Sequence, residues 1–182
     1  MPGDEIFPCS PFPFINERVN SNWFINREVN RTTYNKVAYD FDGTIYIQNS
    51  TSSHTGIRSL NVVVINYMLH DLKSGKHILI ISNRPEKYRE EIRAILRNVF
   101  DENVLNEVTI ILLGDTKEIK AKYIEANNIR IFYGDSDSDM KSAIMGGAIP
   151  VRVLRNINSL DRNGANVGLY QELIMGCSQR AY

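Results

Sequence analysis

A chain of 182 residues, 43% apolar and 23% charged, is long enough for one compact domain with a sheet covered by helices on both faces. Its 21 basic and 21 acidic residues cancel, which argues against an extended nucleic-acid footprint but leaves room for a local basic pocket. No run approaches the roughly 20 consecutive apolar residues of a membrane span, and residues 1–10 lack the basic-then-apolar order of a signal peptide. Cys9 and Cys177 are too few for a disulfide framework, so free thiols in a cytoplasmic protein are expected.

Residues 1–33 form a distinct arm. Pro8, Pro11 and Pro13 interrupt helix and interior strand alike, because proline lacks the amide donor and fixes its own φ. The arm nevertheless carries Phe7, Phe12, Phe14, Trp23 and Phe24, too much aromatic surface for a solvated tail. It is expected to pack on its own domain or on a neighbouring subunit, which would give a homo-oligomer.

From residue 34 to the end, strand and helix patterns alternate. Residues 36–40 form a short buried strand with an acidic end, and the spacing of Val64, Ile65, Met68, Leu69 and Leu72 predicts a helix over 60–73, stopped by Gly75. A strand follows at 77–81. Pro85 suits the first turn of a helix whose face is Tyr88, Ile92, Ile95, Leu96 and Val99. Strands are then expected at 108–113, 130–133 and 151–154, with helices over 116–126 and 138–145. Such alternation predicts a three-layer α/β/α sandwich with a mostly parallel central sheet and right-handed crossovers, whose ligands bind beyond the carboxyl ends of the strands.

Chemistry-bearing residues follow those strands. The first ends in Asp40-Phe41-Asp42-Gly43-Thr44 and the second in Ser82-Asn83-Arg84. The helix after the third bears Lys117, Lys120 and Lys122, and the fourth strand ends in Gly134-Asp135-Ser136-Asp137-Ser138-Asp139. A carboxylate approaching a phosphate dianion needs its repulsion offset, and an all-oxygen ligand set suits magnesium. Asp40, Asp42 and Asp135 are expected to gather around one Mg2+, with Asp139 orienting its waters or a lysine. Asp40 is placed to attack phosphorus and form an aspartyl-phosphate. Asp42 then serves as acid toward the leaving alkoxide and as base toward water. Gly43 lets the chain turn away, and Ser82, backbone amides and a lysine hold the phosphoryl oxygens.

These four stretches, in this order at strand ends, resemble the four motifs of the haloacid dehalogenase (HAD) superfamily. The segment Asn128-Ile129-Arg130-Ile131-Phe132-Tyr133-Gly134-Asp135-Ser136-Asp137, with Val151-Arg152-Val153-Leu154-Arg155 and Asn158-Ser159, is similar to bacterial class B acid phosphatases. The resemblance implies that Lys120, rather than Lys117, is the phosphate-binding lysine. It places Asn83 and Arg84 where that family has Gly-Arg, so that Ser82, Asn83, Arg84 and Lys120 make up the phosphate site. It also implies a HAD core with a broad phosphomonoesterase activity on small esters, nucleoside monophosphates among them. The chain is expected to depart from that family in lacking a leader, and it has a short polar insertion, residues 45–59, in place of a longer segment that supplies an apolar substrate pocket. A minimal cap follows, with Tyr46 its one aromatic residue.

Plainer roles compete at some positions. Asp137 is more simply a helix cap. His54, His70 and His77 show no metal-ligand spacing. Two other functions remain open: a nucleic-acid end phosphatase, disfavoured by the neutral charge, and a non-hydrolytic binding or assembly module on the same fold.

Overall fold

The computed structural model describes residues 35–48, 58–116, 119–153 and 166–175. The N-terminal arm, Cys9, Cys177, His54 and Lys117 lie outside the described residues, as do Leu154, Arg155, Asn158 and Ser159.

Six strands form one sheet: β1 (Lys36–Tyr39), β4 (His77–Ser82), β5 (Thr109–Leu112), β6 (Ile131–Gly134), β7 (Ile149–Arg152) and β8 (Leu173–Ile174). Their order is β5-β4-β1-β6-β7-β8, and every neighbouring pair runs parallel. The chain thus builds outward from β1 in one direction and then returns to build outward in the other. β1 sits at that reversal, where a parallel sheet opens a crevice beyond its carboxyl edge.

The two-residue period of the strands divides the core into two layers. Val37, Tyr39, Ile78, Ile80, Ile131 and Tyr133 face one side, where they meet Val64 and Met68 of α1 (Val62–Lys73) and Ile92 and Leu96 of α2 (Arg89–Leu96). Ala38, Leu79, Ile81 and Phe132 face the other, against Ile124 of α4 (Ile119–Ala126) and Ala143 of α5 (Asp137–Met145). Each large aliphatic chain so buried contributes roughly 1.5–3 kcal/mol over exposure. On the first side Tyr39 stacks on Tyr133 with centroids 4.4 Å apart, and its hydroxyl donates to the buried Asp71 at 2.6 Å.

Boundaries shift for identifiable reasons. Leu60 belongs to β3 (Arg58–Leu60), which pairs antiparallel with β2 (Tyr46–Gln48), so α1 begins two residues after it. The polar insertion therefore holds a short antiparallel strand pair. Pro85 has an extended backbone and caps a single 3₁₀ turn, Glu86–Tyr88, ahead of α2. A short helix, α3 (Glu102–Glu107), was not expected; the Asp101 side chain caps it by accepting from Val104 N at 2.9 Å.

The last long strand starts earlier than expected, at Ile149, and includes Pro150. Ile149 N and Val153 N donate to Arg130 O and Gly134 O on the β6 side, so the Pro150 nitrogen faces the opposite edge. β8 pairs only with Val151 and Arg152, and the missing donor therefore costs no ladder bond. No helix among the described residues is long and apolar enough to cross a membrane.

Candidate active site

Asp40 is the first residue beyond β1, and its amide donates to Tyr133 O on β6 at 2.8 Å. Continuing the strand alternation from Ala38, its side chain points to the face covered by α4 and α5. Both helices answer it. Lys120 of α4 donates to Asp40 Oδ1 at 3.0 Å and to Asp139 Oδ1 of α5 at 2.7 Å, with its ammonium 5.4 Å from the Phe132 ring centroid. All three side chains are under a tenth exposed.

The turn after β6 brings the remaining acids. Asp139 is locked by a reciprocal capping box: its amide donates to Ser136 Oγ at 3.1 Å, while Ser136 N and Oγ donate to Asp139 Oδ2 at 3.2 and 2.9 Å. Gly134 makes this possible, since a Cβ there would collide with the Asp139 side chain. Asp135 is buried at the same strand end. Ligand oxygens of Asp40, Asp135 and Asp139 lie within 4.8 Å of one another. This is an all-carboxylate donor set of the kind hard divalent cations favour.

The electrostatics follow from burial and charge count. Burial raises the Asp40 carboxyl well above its ordinary range, Asp139 and Asp135 push the same way, and Lys120 opposes them. Burial would also raise Asp139, but Lys120 and the Ser136 bonds hold it below its ordinary value. Lys120 is destabilised by burial, yet its two carboxylate partners more than compensate and keep it protonated. Three carboxylates and one ammonium carry a formal excess of two negative charges, the amount one divalent cation balances. The residues present therefore fit a hard divalent cation.

Asp42 and Arg84 form a second, more exposed group. Asp42 was expected to share the metal through its side chain. Its carboxylate is instead gripped at two points by Arg84, from Nε to Oδ2 at 2.8 Å and from Nη2 to Oδ1 at 2.7 Å. Asp139, expected to orient waters or a lysine, lies in the group of three with Asp40 and Asp135. Arg84, expected to face phosphate, also donates to Glu91 at 2.9 Å and lies 5.2 Å from the Phe41 ring centroid and 5.6 Å from that of Tyr88. Gly43 adopts φ of 80°, a left-handed geometry that favours glycine, and its amide donates to Tyr46 O.

Ser82 ends β4, buried, with Oγ accepting from Arg84 N at 3.1 Å, and Asn83 Oδ1 is buried with no hydrogen-bond partner among the described residues. Asp137 is in the first turn of α5, but Ser136 is the cap; Asp137 is bonded by Arg152 instead. Of the scattered histidines, His77 pairs with Thr109 Oγ1 at 2.8 Å on the opposite, amino-terminal edge of β4.

Over rather more than half of its length the chain is similar in sequence to the bacterial class B acid phosphatases. It is 36% identical over 112 residues to that of Edwardsiella ictaluri, covering 59% of this chain and 46% of the relative. To that of Marinomonas it is 33% identical over 105 residues, covering 58% and 44%. The chain thus spans under half the length of these relatives. No family profile matches it. Among solved structures it is similar to 3-deoxy-D-manno-octulosonate 8-phosphate phosphatase from Moraxella catarrhalis, crystallised with magnesium, phosphate and the sugar acid. The TM-score is 0.46 and the identity 18%, over 72% of this chain and 74% of that one. A HAD-superfamily hydrolase from Ehrlichia chaffeensis has a TM-score of 0.40 and 20% identity over 84% and 69%.

Proposed function

We propose that the protein is a magnesium-dependent phosphomonoesterase that works through an aspartyl-phosphate on Asp40 and acts on small phosphate esters such as nucleoside monophosphates. The observation that carries this reading is the buried Asp40, held by Lys120 at the reversal point of the sheet with Asp135 and Asp139 beside it. Asp40, Asp135 and Asp139 would hold the cation, which offsets the repulsion between carboxylate and phosphate dianion when bound.

An Asp40 oxygen forms a bond to phosphorus as the bond to the ester oxygen breaks. Lys120 stays charged throughout and stabilises negative charge on the phosphoryl oxygens. Ser82 and Asn83, at the adjacent strand end, supply a hydroxyl and an amide for the same oxygens. The departing alkoxide takes a proton from Asp42. Water then attacks phosphorus, Asp42 accepts its proton, and inorganic phosphate leaves with the Asp40 carboxylate restored. Because Arg84 engages the Asp42 carboxyl group, proton transfer requires that contact to open; a phosphate group competing for the guanidinium supplies the means. A cytoplasmic location is part of the same proposal and is tested by cell fractionation.

Release of phosphate from an aryl phosphate, with magnesium and then with excess chelator, tests the reading. Magnesium-dependent release that vanishes in Asp40→Asn supports it, and no release across a broad ester panel contradicts it. Comparing mononucleotides with short oligonucleotides separates a small-ester enzyme from a nucleic-acid end phosphatase.

A further inference from the structure

Beneath the acidic turn lies a second charged group that the chemistry above does not use. Arg152, at the end of β7, is wholly buried. Its Nη1 donates to the backbone carbonyl of Asp135 at 3.1 Å and its Nη2 to Asp137 Oδ1 at 2.9 Å. Nε and Nη2 both donate to Glu172 Oε1, at 3.2 and 3.1 Å, and Glu172 is itself fully buried. Glu172 in turn accepts from Gly168 N at 2.6 Å and Tyr170 N at 3.1 Å, while Asn166 Nδ2 donates to the other Asp137 oxygen at 2.8 Å. The segment 166–175 is thereby tied to the peptide that carries Asp135.

A buried ion pair is a poor route to stability, since apolar residues of similar volume usually do as well or better. What this one provides is direction. A planar guanidinium meets three acceptors, the Asp135 carbonyl and two carboxylates, in one fixed plane. Asp139 begins its capping box one residue after that carbonyl, so the plane fixes both ends of the turn that offers two of the three acidic ligands.

The geometry points to Arg152 as a positioning residue for divalent-cation binding, with Glu172 of the C-terminal segment holding it in place. This rests on reading Asp40, Asp135 and Asp139 as a magnesium site. Arg152 does not touch the cation or substrate; it acts through the main chain of Asp135 and the side chain of Asp137.

The test is magnesium titration of the full chain by calorimetry, with circular dichroism to establish folding. Arg152→Lys keeps the charge but cannot reach three acceptors at once. We expect it to fold and to bind magnesium roughly ten-fold or more weakly, the usual consequence of losing a residue that orients a metal ligand. In turnover assays the magnesium concentration for half-activation should rise by the same factor, with kcat nearly restored at saturating magnesium. Should Arg152→Lys not fold, Asp137→Asn decides, since it leaves the Arg152–Glu172 pair intact; several-fold weaker binding is expected. Wild-type magnesium affinity in a folded variant overturns this inference alone. Absence of magnesium binding by the wild-type protein overturns it together with the metal reading of the site.

Discussion

Two parts of this molecule place basic side chains between carboxylates, and their surroundings differ. At the strand ends, Lys120 lies between Asp40 and Asp139 with all three side chains under a tenth exposed. On the surface formed by α2 and α3, Arg93 and Arg97 both reach Glu102, and Arg97 approaches Glu90 at 3.8 Å; Arg97 is 44% exposed and Glu102 54%. Water screens the second group and side-chain entropy erodes it, so it adds little to stability. The first group has no such screening, and each charge there depends on the others. The same pairing is therefore solvated and weakly coupled in one place, and buried and strongly coupled in the other.

Substitutions sharpen this contrast. The largest effect is expected from Asp40→Asn, which is nearly isosteric but cannot be phosphorylated: turnover should fall by roughly a thousand-fold or more. Because burial and two neighbouring acids disfavour the Asp40 charge, the metal-free variant should melt at the same temperature as the wild type or higher. A clear drop in melting temperature would contradict the electrostatic account even if activity were lost.

Next comes Lys120→Met, which leaves two acids buried without their cation and should cost on the order of 3 kcal/mol in denaturant unfolding of the metal-free protein. Loss of less than about 1 kcal/mol would mean that the lysine is not what holds the cluster together. Gly134→Ala, which drives a methyl group into Asp139, should cost about 1–3 kcal/mol and weaken magnesium binding in the same preparation.

The smallest effect belongs to the surface group. Hydrogen bonds from Arg97 and then Arg93 hold the Glu102 carboxyl below its ordinary value. A depressed carboxyl contributes stability above its unfolded-state value and loses it as pH falls through the folded one. Glu102→Gln should therefore lower the melting temperature barely measurably near neutral pH, and the difference should vanish in strong acid. An equally large effect at both ends would show that the contacts are not electrostatic.

The sequence was legible where burial leaves a period. Runs such as Ile78-Leu79-Ile80-Ile81, and helix stripes such as Val64, Ile65 and Met68, announce layers because both faces of a parallel strand are covered. The three-residue strands of the hairpin and the two-residue β8 are too short to show alternation. Helix α3 had a readable signal in Asp101, a capping residue just before the helix, but its single buried apolar position gives no stripe.

Within the site, identity was easier to read than pairing. Asp40, Lys120 and Asp139 could be placed near one another from strand order, and the resemblance supplied the choice among three lysines. That Arg84 would take the Asp42 carboxylate depends on side chains 42 positions apart, which no local pattern encodes. Arg152 was hidden for another reason: flanked by Val151 and Val153, it reads as the outward residue of an alternating strand. Its burial is made tolerable by Asp137 and the Asp135 carbonyl together with Glu172, which returns to the same place from 20 positions on.

The chain leaves the sheet at Gly43, forms the hairpin, and comes back with Asn61 N bonded to Ile45 O at 2.8 Å, so exit and re-entry are stitched together at the rim. A segment closed at its base can change length at an entropic cost that grows only by about 0.6 kcal/mol for each doubling. The span between Tyr46 and Leu60 is thus a graft point. Exchanging it for longer segments should leave the sheet and the acidic cluster folded.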